Sequence, residues 1–403
     1  MDFPVCAAKK SICNCAFVRS CWGRVLGALW VLGVAAGMGS CGMSTRDVEP
    51  PGRDQPVVTG VEFARFFGFS EGRDTLWLQD GGGDWTPWIV SPKTPVNTSV
   101  KTGARTAVEL PWAPKVATWS TTHVPHLKAL QAKGQWVGTG YRDRVGLTKE
   151  VWGRLPADLG GDGGLDEEAL VASGAQVLTS YPFGDPMQGV EERTDVKVMP
   201  LREYEEDHPL ARAEYIKIFG WLVGEPESAV AVFNGIAQRY ATAQSRGQRL
   251  AASFGRPVVF TGSEQGGVWT APTCDGLVAR LVEDAGGHYL LDQETEEAMG
   301  LRRVESNIEM ELEQFALLAA DADAWGKVVY APEGWYREDA AGSMSWLPLD
   351  DKLLFHCNTA EVDYFGQAVL EPDLMLSDLV SLLHDQPAHA EGPRYFQKTS
   401  SRP

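Results

Sequence analysis

Apolar strand-like runs alternate with helix-like segments in two stretches of the chain. The first stretch has four such runs, at 115–120, 136–139, 175–179 and 196–199. The second has three, at 257–261, 327–330 and 353–357. Helix-like segments lie between or after them, at 166–173, 276–284, 308–320 and 373–384. Strands that are apolar along their whole length are typical of parallel sheets covered on both faces, so the pattern predicts an α/β fold with two βα lobes.

A longer helical stretch separates the two blocks. Residues 208–223 have apolar side chains at helical spacing, and 226–250 has a single apolar stripe. The stripe consists of Ala229, Val232, Phe233, Ile236 and Tyr240. One stripe of this kind is typical of a helix that packs against a folded body. We therefore expect rigid interlobe helices at 206–252, between an N-terminal lobe at 57–205 and a C-terminal lobe at 253–385. Arg212 and Glu214 are candidates for an interlobe salt bridge.

Two further segments flank the lobes. The N-terminal lobe opens with a β-rich preface, 57–112, in which a glycine-rich loop at 80–84 separates strand-like runs. Such a loop fits a hairpin, and it lacks the Gly-Lys-Ser/Thr sequence of a phosphate-binding loop. The tail, 386–403, is mostly polar, and we expect it to be frayed.

The start of the chain has the features of an export signal. A basic leader precedes an apolar segment at 25–38, which ends in Gly39-Ser40-Cys41. This order predicts a signal peptide at 1–40. Cys41 after small residues resembles a bacterial lipobox, which implies lipidation of Cys41 and a tether at 41–56. An ordinary signal peptide and a membrane anchor are the alternatives, although the apolar segment is shorter than a membrane span requires.

Charge and cysteine content narrow the classes of function. The chain has 54 acidic and 36 basic residues, a net charge of −18, which disfavours binding to nucleic acid. Beyond Cys41 only Cys274 and Cys357 remain, and they either form one disulfide or stay free. His123 and His126 are three residues apart with no third ligand nearby, so we predict no metal site.

Catalytic motifs are missing from the sequence. It contains neither Gly-x-Ser-x-Gly nor His-Glu-x-x-His, and the segment 262–266 has its serine in the wrong position for a nucleophile elbow. We therefore predict a protein that is not an enzyme and has no resident cofactor. An exported hydrolase is the alternative from another class.

Several segments together resemble a known family. They are Trp119-Ser-Thr-Thr-His123, the acidic run 165–170, the run 208–215, the run 267–272 and Asp284-Ala-Gly-Gly287. In order and spacing they are similar to the periplasmic substrate-binding lipoproteins of ABC importers for iron complexes and vitamin B12, the type with a helical backbone between the lobes. The preface lies outside the family's common core, and Cys274 stands where the family often has glycine or serine.

The resemblance implies a function and its partners. Such a protein captures a metal chelate in the cleft between its lobes, and we expect a ferric siderophore or other iron complex, with cobalamin as the alternative. It delivers the chelate to a permease driven by a cytoplasmic ATPase. The expected location is the periplasm or the outer face of the cell membrane, with attachment through the lipid anchor.

Candidate ligand contacts are the side chains that follow strands, because ligands of open α/β sheets bind beyond the carboxyl ends of the strands. These are His123, Tyr181, Phe183, Trp269, Trp335 and Tyr336. Aromatic side chains suit a large, partly apolar ring system. The alternative role is packing for each aromatic residue, and capping of its own helix for His123.

Acidic residues on the lobes are candidates for permease docking. In the resembling family one acid from each lobe meets arginines of the permease. The candidates here are Glu167 or Glu168 in the first lobe and Glu283 or Glu309 in the second. A solvated helix face is the alternative for all four.

Overall fold

The computed structural model describes residues 59–91, 107–146, 153–182, 187–304, 306–347, 349–386 and 392–402. The predicted signal peptide, Cys41, the tether at 41–56 and Phe183 lie outside these residues. Within them, every helix is too short or too polar to cross a bilayer. Elements are numbered below in chain order along the described residues.

The preface forms a small sheet of four strands in the order β1-β2-β3-β4. Its strands are β1 Phe67–Phe69, β2 Thr75–Gln79, β3 Trp85–Val90 and β4 Val108–Leu110. The first three are antiparallel and β4 is parallel to β3. In the turn between β2 and β3, the Asp80 carboxylate accepts the N–H groups of Gly82 and Asp84, each at 2.9 Å. The predicted glycine-rich hairpin is confirmed.

The first lobe is built on a parallel sheet in the order β11-β10-β5-β6-β7. Its strands are β5 Val116–Thr118, β6 Trp136–Thr139, β7 Ala157–Asp158, β10 Val177–Ser180 and β11 Lys197–Pro200. Its helices are α1 Val124–Ala129, α2 Glu167–Ala172 and α3 Val190–Thr194, and β8 Gly160–Gly161 with β9 Gly164–Leu165 forms a short hairpin. Asp166 caps α2 by accepting the N–H of Ala169 at 2.8 Å, which explains where that helix begins.

Three helices connect the lobes. They are α4 Pro209–Glu214, α5 Ile216–Val223 and α6 Pro226–Phe254. The predicted single helix at 208–223 is therefore two short ones that meet at Tyr215. The predicted stripe on α6 is largely confirmed, since Phe233, Ile236 and Tyr240 are buried.

The interlobe helices are fixed to both lobes. On the first lobe, the ring of Phe219 in α5 stacks on His126, with centroids 4.8 Å apart. On the second lobe, the Tyr240 hydroxyl of α6 donates to Asp284 at 2.7 Å. Gly247 allows α6 to approach closely, because a Cβ there would lie 2.6 Å from the carbonyl oxygen of Ala285.

The second lobe repeats the parallel plan with the order β15-β12-β18-β19-β20. Its strands are β12 Val258–Thr261, β15 His288–Tyr289, β18 Ala324–Val329, β19 Leu353–Asn358 and β20 Gln397–Lys398. Only β20 is antiparallel to its neighbour. The helices are α7 Leu277–Asp284, α8 Gln293–Met299, α9 Leu312–Ala319, α10 Arg337–Ser343 and α11 Pro372–Leu383. The predicted α/β fold of two parallel-sheet lobes is confirmed.

An antiparallel sheet in the second lobe was not predicted. It has the order β13-β14-β17-β16, with β13 Ser263–Gln265, β14 Val268–Pro272, β16 Arg302–Val304 and β17 Asn307–Glu311. The expected helix at 308–320 is wrong for its first residues. Ile308 and Met310 are buried and alternate with the more exposed Glu309 and Glu311, which is the period of a strand.

The described part of the C-terminal tail, 392–402, is ordered against expectation. Tyr395 and Phe396 are buried, and β20 follows them. The carboxylate of Asp378 in α11 accepts the backbone N–H groups of Arg394, Tyr395 and Phe396 at 3.0, 2.7 and 3.1 Å. For 392–402 the expectation of fraying is wrong, because a buried acceptor and two aromatic side chains hold this segment to the lobe.

Candidate ligand-binding site

A cavity of about 930 Å³ lies between the lobes. From the first lobe it is lined by Ser120 and Thr122 after β5, by Tyr181 after β10 and by acids after β11. The second lobe contributes residues from 272–278 and 303–307. Strands β5 and β10 are neighbours from which the chain runs to opposite sides of the sheet, and such switch points are where open α/β sheets bind ligands.

The cavity wall carries more acid than base. Its acids are Glu203, Glu205, Glu206, Asp207 and Asp275, and its arginines are Arg65, Arg212 and Arg303. Two of the arginines are neutralised by ion pairs of 2.9 Å, Arg65 with Asp207 and Arg303 with Asp275. Arg65 comes from the preface, so the preface takes part in the wall of the cavity.

Arg212 is the third arginine, and it has no carboxylate partner among the described residues. Its guanidinium donates to the carbonyl oxygen of Tyr204 at 2.7 Å, and its Nε has no partner. Burial lowers the pKa of Arg212. The expected interlobe salt bridge is not formed by Arg212, which lines the cavity without a described carboxylate at ion-pair distance and is acted on by the charges of Glu203 and Glu206.

Glu214 also departs from the expected salt bridge. Its buried carboxylate pairs with Lys217 at 2.6 Å, one turn further along the interlobe helices. It also accepts the backbone N–H groups of Glu62, Phe63 and Ala64 at 2.8–2.9 Å. Glu214 therefore anchors the start of the preface rather than bridging the lobes.

A buried polar cluster lies behind the cavity wall. Thr122 donates to Glu203 Oε1 at 2.7 Å, and His123 Nε2 lies 3.2 Å from the same oxygen. His123 Nδ1 lies 2.9 Å from the hydroxyl of Thr179. Burial acts to raise the pKa of Glu203, but the His123 ring and the bond from Thr122 outweigh it and lower that pKa. The second carboxylate oxygen of Glu203 has no partner among the described residues.

His126 lies next to this cluster with neither ring nitrogen hydrogen-bonded within the described part of the chain. It is fully buried. Burial, reinforced by the neighbouring His123, lowers the pKa of His126 to about 3. The ring is therefore neutral at physiological pH.

Of the predicted ligand contacts, Tyr181 lines the cavity, whereas His123 and Trp269 are buried away from it. His123 is completely buried behind Thr122 and Glu203 and has no surface to offer a ligand. Trp269 is also completely buried, because it lies in β14 and stacks on Phe315 with centroids 4.1 Å apart. Direct contact predicted for His123 and Trp269 is thus wrong for this structure, and both have packing or positioning roles.

Trp335 and Tyr336 do not line the large cavity. The centroid of the Trp335 ring lies 5.3 Å from the ammonium of Lys327, and Tyr336 caps α10 together with Asp339.

Three residues of the cavity wall were not predicted from the sequence as ligand contacts: Arg65, Arg212 and Tyr364. Of these three residues, only Arg212 was noticed in the sequence, as a basic residue at the start of the interlobe helices.

A smaller cavity of about 240 Å³ adjoins the large one on the side of the second lobe. Pro272, Val278 and Tyr364 form walls of both. Burial raises the pKa of Tyr364 to about 12, so its hydroxyl stays protonated. Close by, the Thr121 hydroxyl of the first lobe donates to the carbonyl oxygen of Phe365 in the second lobe at 3.2 Å. The loop at 359–366 therefore contacts both lobes.

Three of the four predicted docking acids are occupied by arginine partners. Glu167 pairs with Arg193, Glu283 with Arg256 and Glu309 with Arg302. Glu168 is exposed.

Cys274 and Cys357 are free thiols rather than a disulfide. In the part of the chain that the structure describes, His, Cys, Asp and Glu form no cluster able to hold a metal ion.

Comparison with known proteins identifies the fold. A scan against protein-family models and a search of curated proteins both give no match. Among solved structures, a periplasmic heme-binding protein from Pseudomonas aeruginosa matches with a TM-score of 0.53 and 16% identity, over 72% of this chain and 99% of that one. A periplasmic binding protein from Veillonella parvula matches with a TM-score of 0.54 and 13% identity, over 77% and 98%. The chain therefore has the two-lobed fold of periplasmic binding proteins.

Proposed function

We propose that this chain is a solute-binding protein of an ABC importer that captures a metal chelate between its lobes. The observation that carries the proposal is the cavity of about 930 Å³ at the switch point of the first sheet, facing the second lobe. Binding pockets for small ligands have volumes of roughly 300–1,000 Å³, so the cavity can accept a compact chelate. An iron complex, a siderophore or haem, is the proposed cargo, and cobalamin is the alternative.

The charge of the wall bears on the kind of chelate. Five acids against three arginines leave the wall negative, and among the described residues Arg212 alone of the three arginines makes no direct ion pair. Like charges at an interface are repelled, so a highly anionic chelate is disfavoured relative to a neutral or cationic one. A ferric hydroxamate fits this condition better than a ferric tricatecholate. We propose Tyr181 and Arg212 as direct ligand contacts.

Calorimetric titration of the exported protein with ferrioxamine B, a ferric catecholate, haemin and cyanocobalamin tests the proposal. We expect binding of at least one of the four, with the catecholate weakest. Tyr181→Ala and Arg212→Gln should each weaken that binding by about tenfold. Tyr330→Ala and Arg249→Gln, at exposed positions, are the matched controls. Absence of binding to all four, together with turnover of an ester or glycoside, would establish the exported hydrolase instead.

The proposed location is outside the cytoplasm, on a lipid anchor at Cys41. Metabolic labelling with a fatty acid should mark the wild type, and Cys41→Ala should lose the label and release soluble protein. Retention of the label in that variant would refute the anchor.

The proposed partner is a permease pair with a cytoplasmic ATPase. Glu168 is the docking candidate whose position needs no internal ion pair to be broken, whereas Glu167, Glu283 and Glu309 must exchange arginine partners. Glu168→Ala should reduce stimulation of the ATPase in reconstituted vesicles and leave chelate binding in solution unchanged. Loss of both would place Glu168 in the folded core or the cleft and contradict its docking role.

A further inference from the structure

A third cavity lies in the second lobe, and we call it the Lys327 pocket. Its volume is about 210 Å³. Its walls include Ser263 and Glu264 from β13, Trp269 from β14, Trp325 and Lys327 from β18 and Ser343 from α10. On β18 these residues alternate with Gly326 and Val328, which line the smaller cavity, so the two cavities lie on opposite faces of that strand. No described wall residue of the Lys327 pocket lines the large cavity between the lobes.

Strand geometry directs both charged side chains of the wall toward this pocket. Side chains two residues apart on a strand share a face, so Lys327 lies on the same face as Trp325. Glu264 is directly opposite Trp269 in the antiparallel pair of β13 and β14, so these two side chains also share a face. Both indoles line the pocket. The ammonium and the carboxylate therefore reach it from two different sheets.

Lys327 is held in place without an anionic partner. Its ammonium lies 5.6 Å from the ring centroid of Trp325 and 5.3 Å from that of Trp335, distances at which an indole attracts a cation. No described carboxylate, that of Glu264 included, lies within ion-pair distance of it. Burial lowers the pKa of Lys327, the direction expected when an ammonium is withdrawn from water without a countercharge. The pocket thus contains an oriented cation that this part of the chain does not neutralise.

Glu264 supplies the opposite charge in the same pocket. Its side chain is exposed, and its carboxylate is held by the backbone N–H of Gly267, which donates to Oε1 at 2.7 Å. A simple anion would be attracted by Lys327 and repelled by Glu264, and a simple cation would meet the reverse. A ligand with one charge of each sign satisfies both side chains.

We propose that the Lys327 pocket binds a small zwitterion of the α-amino acid class, with its carboxylate on Lys327 and its ammonium on Glu264. Each charged group of the ligand then forms a charge-assisted hydrogen bond. Pockets for drug-sized ligands have volumes of roughly 300–1,000 Å³, so a cavity of about 210 Å³ calls for a smaller molecule of this kind. This site does not depend on the proposed capture of a chelate, because the two cavities share no described wall residue.

L-Alanine, L-lactate and L-alaninamide are the probes, because lactate lacks the ammonium of alanine and alaninamide lacks its carboxylate. In calorimetric titration of the full exported protein at pH 7, we expect alanine to bind about tenfold more tightly than either analogue. Lys327→Met should abolish the preference for alanine over alaninamide and keep the preference over lactate. Glu264→Gln should do the reverse. A general loss of folding cannot produce this crossed pattern.

Lys398→Met and Glu313→Gln are the matched controls, since they make the same substitutions at exposed positions of the same lobe, and both should bind like the wild type. Should Lys327→Met fail to fold, Glu264→Gln at its exposed position still decides. The inference is overturned if the wild type does not bind alanine, as a direct Lys327–Glu264 ion pair in solution would cause. It is equally overturned if the wild type binds the three probes alike, or if either variant keeps both preferences.

The same proteins titrated with ferrioxamine B and haemin separate the two proposals. Chelate binding without alanine binding removes the zwitterion site and leaves the proposed function. Alanine binding that depends on Lys327 and Glu264, with no chelate bound, removes the proposed cargo and leaves the site.

Discussion

The two lobes share a mainly parallel sheet with an internal first strand, and they line the cleft with different chemistry. In each sheet the first strand, β5 or β12, lies inside the sheet, and the chain fills one side of it before crossing to the other. In the large cavity the first lobe presents hydroxyls and a group of acids, whereas the second lobe presents an Arg303–Asp275 ion pair and adjoins the smaller, mainly apolar cavity. Strand order thus decides where a ligand binds, and the segments after the strands decide what it must be.

The halves also share a device for holding a terminal segment. Glu214 binds three backbone N–H groups of the preface, and Asp378 binds three of the C-terminal tail. Glu214 in addition holds a buried ammonium, that of Lys217.

The largest loss of stability is expected for Glu214→Ala. The change leaves Lys217 buried without its partner and frees three N–H groups, which should cost about 3–5 kcal/mol of unfolding free energy. Urea unfolding followed by circular dichroism measures it, with Glu227→Ala on the exposed surface of α6 as the control. A cost no greater than that of the control would show that the preface is not anchored through Glu214.

Asp378→Ala should cost about 2–3 kcal/mol, because the backbone N–H groups of Arg394, Tyr395 and Phe396 lose their buried acceptor. The loss should be accompanied by faster hydrogen exchange at Tyr395 and Phe396, whose N–H groups lose their acceptor. Equal costs for the two anchors would break the distinction between the halves.

His126 should make stability depend on pH. Its pKa is about 3 in the folded protein and 6.5 when unperturbed, so the unfolded chain takes up a proton first as the pH falls. Stability is therefore lost as the pH falls from about 6.5 to about 3, by about 2 kcal/mol at pH 5. His126→Phe should remove this part of the loss while keeping the stack on Phe219.

The measurement is the difference in unfolding free energy between pH 7.5 and pH 5 for the wild type and the variant. Comparing the two proteins is necessary because His208, whose pKa burial lowers to about 4, adds to the decline in both. An identical decline would show that His126 is protonated in the folded state or is hydrated.

The smallest effect is expected at the surface of the second lobe. Glu309 and Arg302 form an ion pair between neighbouring strands, and Glu309→Gln should change stability by less than about 1 kcal/mol. Chelate affinity should not change, because Glu309 does not line either cavity. A clear loss of affinity would mean that the antiparallel sheet of the second lobe supports the cleft.

The sequence predicted the parts of the fold that have strong periodicity. The apolar strands and the stripe on α6 were found because burial on both faces or along one face leaves a regular pattern. β17 was missed because its Ile308 and Met310 run directly into the helical spacing of α9, so the two periods merge. The tail was missed because its order depends on Asp378, which is an ordinary helix residue in the sequence.

The site was predicted less well than the fold. Tyr181 follows a strand and does line the cavity, but the same rule chose His123 and Trp269, which are completely buried. A strand end locates the backbone and does not say whether the side chain points to the cleft or to the core. Arg65 reaches the cavity from the preface, and no pattern in the chain links those two regions.

The length of α6 affects how fast a solute can enter and leave the cleft between the lobes. With 29 residues it extends for about 43 Å, and Tyr240 and Gly247 tie its middle and later turns to the second lobe. Because α6 is attached along its length, it resists bending. Wide separation of the lobes is therefore disfavoured, and we expect only a small closure on ligand binding. The loop at 359–366 contributes Tyr364 to the cavity wall and is held at the carbonyl of Phe365 by Thr121, so we expect a solute in the proposed cleft to leave by opening of that loop. We expect the dwell time of the solute to be set by that loop.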